Sequence, residues 1–208
     1  IVNFVAPRGI DFSHSGYVVM DGMYYCFLFI RRNGYPGVVR AGWMTALINA
    51  GEGVDVDIHL KRENRSKTID KVAQRIRLNR TKIKNLQDTS TDYEELSNSI
   101  QAGYYIKEGI ANNEDLFYMS TFITISAKGY EELMWRKQQV TDMLKSMDIA
   151  VSDCRFQQEA AFRSVMPFLY IEPSLEKRAQ RNVLTGGAAS TYMFTSYEIS
   201  DDNGVLLG

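Results

Sequence analysis

The sequence predicts an α+β fold: a ferredoxin-like antiparallel sheet (βαββαβ) with an inserted long helical hairpin and a C-terminal strand extension. Three observations carry this. Strand-like runs recur at 23–30, 54–60, 116–126 and 149–156. Helical periodicity follows the first run and again the third. Between the second and third, residues 66–112 have the period of two long amphipathic helices. With that hairpin set aside, the order is a split βαβ unit, which predicts helices on one face of the sheet.

Each element has its own local reason. Runs 17–20 and 23–30 flank Asp21-Gly22, a pair that meets the positive-φ demand of a two-residue turn, so they read as a β-hairpin. Tyr35-Pro36 punctuates the chain, and the apolar positions Val39, Trp43 and Leu47, with Met44 and Ile48 beside them, form one face of a short helix closed by Gly51. Val54, Val56, Ile58 and Leu60 alternate with Asp55, Asp57 and His59, the pattern of a strand with one buried face. The hairpin is marked by Ile69, Val72, Ile76, Ile83 and Leu86, then, after a polar stretch from Asp88 to Asp92, by Tyr93, Leu96, Ile100 and Tyr104.

A strand rich in β-formers follows at 116–126, then a helix at 130–147 with Leu133, Met134, Val140, Met143 and Leu144 on one side. The fourth strand leads to a short helix ending near Met166-Pro167. Residues 172–181 predict another short helix, 184–190 a glycine-rich loop, and 192–199 and 205–207 terminal strands around Asp201-Asp202-Asn203-Gly204. The organisation expected is one domain, 1–208, with the insertion at about 66–112 and a linker at about 184–208.

Composition narrows the class. A chain of 208 residues, 45% hydrophobic and 24% charged, is expected to be soluble and globular and can bury roughly 70% of its unfolded surface. A formal net charge of -1 speaks against a dedicated nucleic-acid binder while leaving room for a local patch. Two widely separated cysteines, Cys26 and Cys154, predict free thiols in a reducing compartment. The longest apolar run, Met-Tyr-Tyr-Cys-Phe-Leu-Phe-Ile, falls well short of the ~20 residues a bilayer-spanning helix needs. The chain starts at Ile1 and stops at Val205-Leu206-Leu207-Gly208, which predicts a longer parent.

Little in the sequence points to catalysis. Asp55, Asp57 and His59 share a strand face and suggest a metal or acid-base cluster, but three residues on one strand do not close a tetrahedral site, so a solvent-facing polar stripe is the preferred reading. His14 sits in a polar loop, and no Gly-x-Ser-x-Gly elbow accompanies it. Gly186-Gly187-Ala188-Ala189-Ser190-Thr191 has small residues and hydroxyls but lacks the lysine of a phosphate-binding loop. No catalytic, cofactor-binding or metal-binding residue is therefore predicted.

Charge partition in the hairpin stands out. Residues 61–85 hold ten basic side chains, Lys61, Arg62, Arg65, Lys67, Lys71, Arg75, Arg77, Arg80, Lys82 and Lys84, against Glu63 and Asp70. Residues 87–115 hold seven acidic ones, Asp88, Asp92, Glu94, Glu95, Glu108, Glu114 and Asp115, against Lys107. The plain reading is attraction between the two arms. The functional one is a partner-binding ridge built from Arg65, Lys71, Arg75, Arg77, Arg80, Lys82 and Lys84, facing an acidic protein surface, anionic lipid or a nucleic-acid backbone.

Tyr35-Pro36, Gly42-Trp43, the run Val54-Asp55-Val56-Asp57-Ile58-His59, and Thr195-Ser196-Tyr197-Glu198 with Asp201-Asp202-Asn203-Gly204-Val205-Leu206-Leu207-Gly208 carry a resemblance. The chain resembles the N-terminal, non-catalytic domain of the CagE/TrbE/VirB family of type IV secretion and conjugation ATPases, especially its TraE-like members. Where the family commonly has proline before the aromatic at Phe194, this chain has Met193. The resemblance implies a cytoplasmic domain, peripheral at the inner face of the plasma membrane, that docks the ATPase to other channel subunits and helps it self-associate. It also implies that ATP and magnesium belong to a following C-terminal domain, with no cofactor in this part.

Two other functions compete: a nucleic-acid-binding module using the basic arm 61–85, with Tyr24, Phe117 and Phe122 as candidate sheet aromatics, and a small enzyme around Asp55, Asp57 and His59.

Overall fold

The computed structural model describes residues 7, 9–85 and 90–191, with only the backbone of 90 and 91. Its elements run β1 (Ile10–Asp11), β2 (Val18–Met20), β3 (Met23–Ile30), α1 (Thr45–Ile48), β4 (Val54–Arg62), α2 (Arg65–Lys84), α3 (Ser90–Ala111), β5 (Leu116–Ala127), α4 (Tyr130–Ser146), β6 (Val151–Asp153), α5 (Gln158–Val165), α6 (Pro173–Ala179), β7 (Arg181–Leu184) and α7 (Thr185–Ala189). The protein is mixed α+β around an antiparallel seven-stranded sheet of order β1-β2-β3-β5-β4, with β6 on β3 and β7 on β5. The expected strands at 192–199 and 205–207 lie outside the described residues, as does Leu86. Two compact units divide the chain: Ile1–His59, Ser120–Arg181 and Ser190–Gly208 form one, and Leu60–Met119 with Asn182–Ala189 the other.

In the first unit, Asp21 (φ 49°) and Gly22 (φ 79°) both take left-handed backbone, so Met20 pairs directly with Met23. β5 runs along one edge of β3, Tyr24 opposite Ala127 and Phe29 opposite Phe122. The other edge is shared: β2 takes Met23 to Tyr25, and β6 takes Leu28 to Ile30.

Helices cover both faces of this sheet, which corrects the expectation of one. Cys26 through Ile30 are five consecutive buried residues, and alternation sends their side chains both ways, so both sides need cover. Phe27 and Phe29 join Phe122, Cys154, Ala161, Leu175 and Ala179, under α5 and α6. The intervening Cys26 and Leu28 face α4, which lies against β3 and buries Leu133, Val140 and Leu144.

Several expected boundaries move for identifiable reasons. α1 starts only at Thr45 because Gly42 turns through φ 72° inside the anticipated helix. β6 is three residues long because Asp148 (φ 58°) and the bond from Ile149 N–H to Leu144 C=O close α4, and a turn at Phe156 (φ 59°) ends the run. α6 ends at Ala179 because Arg181 enters β7, and 184–190, expected as a loop within a linker, instead holds the end of β7 and α7.

In the second unit α2 and α3 form the predicted helical hairpin. Asn64 caps α2, its side-chain oxygen accepting from Lys67 N–H at 3.2 Å. The seam needs a small residue at Gly103, where a Cβ would come within 2.7 Å of Ile76; on another side of α3 a Cβ on Gly109 would come within 2.3 Å of Leu184 at the end of β7. Asn79 Nδ2 donates to Ser99 Oγ at 2.9 Å across it. Asp92, expected in the polar turn, lies inside α3.

Candidate functional site: the basic helix of the hairpin

The seven basic residues singled out on α2 divide into two groups. Arg65, itself exposed, reaches across the hairpin base, donating to Ile110 C=O and, at 3.3 Å, to Asn113 Oδ1. It tethers the start of α2 to the end of α3. Lys71 Nζ is 2.9 Å from Glu63 Oε1, and this hydrogen bond holds its ammonium above the usual lysine range. The Arg80 guanidinium lies over the Tyr104 ring at 5.4 Å. Arg75, Arg77, Lys82 and Lys84 are exposed and, among the described residues, in no ion pair.

Attraction between the arms was the plain expectation, and one ion pair, Arg62 with Asp115, bears it out, while among the described residues none joins the basic side chains of α2 to Glu94, Glu95 or Glu108. The helices meet through Ile76, Asn79, Ser99 and Gly103, at spacings of three and four, which leaves the charges on the outer flanks. Near the hairpin tip, Lys82 borders a shallow open groove with Leu78, Asp92, Glu95 and Leu96. Arg62 Nη2 reaches Asp115 Oδ2 at 2.8 Å at the opposite end.

The other candidates do not converge. Asp55 is exposed on β4; Asp57 is half-buried, and burial raises its carboxyl pKa, with Asp55 adding to the shift and His59 opposing it. His59 sits edge-on to Phe122 at 5.9 Å. Among the described residues no three His, Cys, Asp or Glu side chains group as a metal site. His14 stacks on Tyr17 at 4.2 Å and lies 3.6 Å from Asp11. Of the sheet aromatics, Phe122 is fully buried against Phe29, which removes it as a base-stacking surface, while Tyr24 and Phe117 are half-buried. Gly186 N–H is spent on Glu114 Oε2 at 2.8 Å.

Sequence reasoning missed the tether that Arg65 makes to the end of α3 and the pairing of Arg80 with Tyr104. The first has no sequence signal, because Ile110 and Asn113 are distant in the chain. The second was available from the antiparallel hairpin, which brings residues after the middle of α2 beside the middle of α3. Among the described residues, no helix is long and apolar enough to cross a membrane.

The fold and this surface define a mixed α+β protein with a cationic helical hairpin. No protein-family model matches the chain, and no curated protein matches it.

Proposed function

We propose that the chain is a non-catalytic docking and oligomerisation domain of a type IV secretion, or conjugative DNA transfer, ATPase of the CagE/TrbE/VirB type. In this reading it is cytoplasmic, peripheral at the inner membrane face, and contacts channel subunits there. The observation that carries it is the exposed row Arg75, Arg77, Lys82 and Lys84, in no ion pair among the described residues, a cationic surface that suits an acidic protein partner. The resemblance supports it, and its marker residues serve as scaffold: the Tyr35 hydroxyl donates to Thr121 Oγ1 at 3.1 Å, and the Tyr35 and Trp43 rings meet edge to face at 6.1 Å. A ferredoxin-like core is supported by the neighbour sequence β6, β3, β5, β4, which a split βαβ pair produces. ATP and magnesium would be held by the nucleotide-binding domain of the parent.

The test is to read the gene past the codon for Gly208. Gly-x-x-x-x-Gly-Lys-Ser/Thr within roughly the next 60 residues supports the reading, and a stop codon overturns it. ATP turnover by the purified chain would also sink it.

One observation favours a second reading, nucleic-acid binding: Arg80 over Tyr104 pairs a cation with an exposed ring, as single-strand binders do. It predicts affinity that falls steeply with salt and vanishes on charge reversal at Arg75, Arg77 and Arg80. Salt-independent or absent binding rejects it.

A further inference from the structure

β4 ends the sheet. β5 lies along one of its edges, and among the described residues no strand takes the other. Gly53 C=O accepts from Ser126 N–H at 2.8 Å, and Glu63 N–H donates to Leu116 C=O at 2.9 Å. Both bonds belong to one antiparallel register, Gly53 opposite Ser126 and Glu63 opposite Leu116, so the odd-numbered residues between them turn their backbone groups toward β5. The even-numbered ones, Val54, Val56, Ile58, Leu60 and Arg62, turn N–H and C=O outward. Such an edge is a template for another strand, and its apolar row is under-covered: no residue of β4 is fully buried, and Leu60 is 48% exposed.

The sequence of this edge is complementary to itself in one register. Antiparallel pairing of two copies about Ile58 sets Val54 against Arg62, Val56 against Leu60 and Ile58 against Ile58 as hydrogen-bonded pairs, all with outward backbone. Between them fall the non-hydrogen-bonded pairs, where side chains approach most closely, and these are Asp57 with His59 and Asp55 with Lys61, each occurring twice. The neighbouring register, about Asp57, sets Asp57 against Asp57. A parallel in-register pair sets every charge against its own kind. The register about His59 sets Asp57 against Lys61 but also Asp55 against Glu63, so of the antiparallel registers centred on an interior residue of the strand the one about Ile58 alone sets no like charges opposite one another.

We propose that β4 is a self-association edge, on which a second copy of this chain adds antiparallel about Ile58, joining two sheets into one. The proposal rests on the functional reading above only where that reading invokes self-association. An interface of one strand pair belongs to the small, transient class, so the dissociation constant is expected on the order of 10–100 µM.

The experiment is sedimentation equilibrium of the purified chain across that range, with three variants. Asp55→Lys places lysine opposite Lys61 twice and is expected to weaken dimerisation by at least about tenfold. Both positions are exposed, so Asp55→Lys with Lys61→Asp, which exchanges the two charges, is expected to restore it. Ile58→Cys is expected to form an intermolecular disulfide under mild oxidation, since paired Cα atoms at this position fall ~5.5 Å apart; Val54→Cys, ~27 Å from its counterpart, is not. Cys26 and Cys154 are buried and stay out of the reaction.

A dimer that survives Asp55→Lys, or that leaves Ile58→Cys uncrosslinked, overturns this edge as the site while leaving the docking reading intact. A monomer at every concentration overturns the proposal and leaves the edge to a foreign strand or to the strand expected at 192–199. The gene test above remains independent of either result.

Discussion

Cys26 and Cys154 lie on opposite faces of the sheet, one toward α4 and the other in the cluster of Phe27 and Phe29. Burial pushes both thiols up to about 12, so at pH 8 roughly one in 10⁴ is ionised. Neither is expected to react with a thiol reagent in the native protein, and both should react once it is unfolded. A stoichiometric reaction with native protein at the free-thiol rate would contradict their placement. Tyr35 is similarly enclosed, and its hydroxyl reaches Thr121 Oγ1 at 3.1 Å. Tyr35→Phe should cost about 1 kcal/mol, read from the urea midpoint, because the ring packing is kept and one buried hydrogen bond is lost. The thiols were legible in the apolar surroundings of Cys26; the partner of Tyr35, 86 positions away, was not.

At the scale of elements, one turn and one seam fix the architecture. After β3, Gly34 accepts from Ala150 N–H at 2.8 Å while Arg31 N–H donates to Ala150 C=O at 3.0 Å. A Cβ on Gly34 would lie 2.1 Å from that carbonyl oxygen, and rigid backbone has no room to yield. Gly34→Ala is therefore expected to destabilise by about 2–4 kcal/mol, measured by chemical denaturation. The hairpin seam is more forgiving, since a Cβ on Gly103 meets side chains, those of Ile76 and Val72, rather than backbone. Gly103→Val should cost about 1–3 kcal/mol through overpacking. The outer flank behaves oppositely. Reversing Arg75 and Arg77, exposed and in no ion pair among the described residues, should shift stability by no more than about 0.5 kcal/mol while abolishing whatever acidic partner α2 binds. That separation, read from paired melting and binding curves, divides the scaffold of the hairpin from its surface. Helical period announced both arms of the hairpin, yet the spacing of the charges alone did not show that the arms meet through a neutral seam.

For the molecule as a whole, alkaline pH acts through the same enclosed groups. Cys26, Cys154 and Tyr35 ionise near 12 in the folded chain, against 9, 9 and 10 unperturbed. As pH rises past 9 the unfolded chain releases these protons first, so unfolding gains free energy from deprotonation. Their contribution to stability is complete below pH 9 and is lost progressively up to about pH 12. The urea midpoint should therefore fall between pH 8 and pH 10.5, and a flat profile would contradict the burial of all three. The sequence by itself determined the mixed α+β class, the Asp21-Gly22 hairpin, the alternating β4 and the two long helices, because each depends on periodicity or turn chemistry within a few residues. The tertiary structure alone decided that both faces of β3 are covered, that β6 and β2 share its edge, and that β1, β7 and α7 exist. It also decided that Arg65 is hydrogen-bonded across the hairpin base while Arg75, Arg77, Lys82 and Lys84 make no ion pair among the described residues. These features rest on partners far away in the chain, and short elements stabilised by such contacts leave too weak a local pattern to be read before the chain has folded.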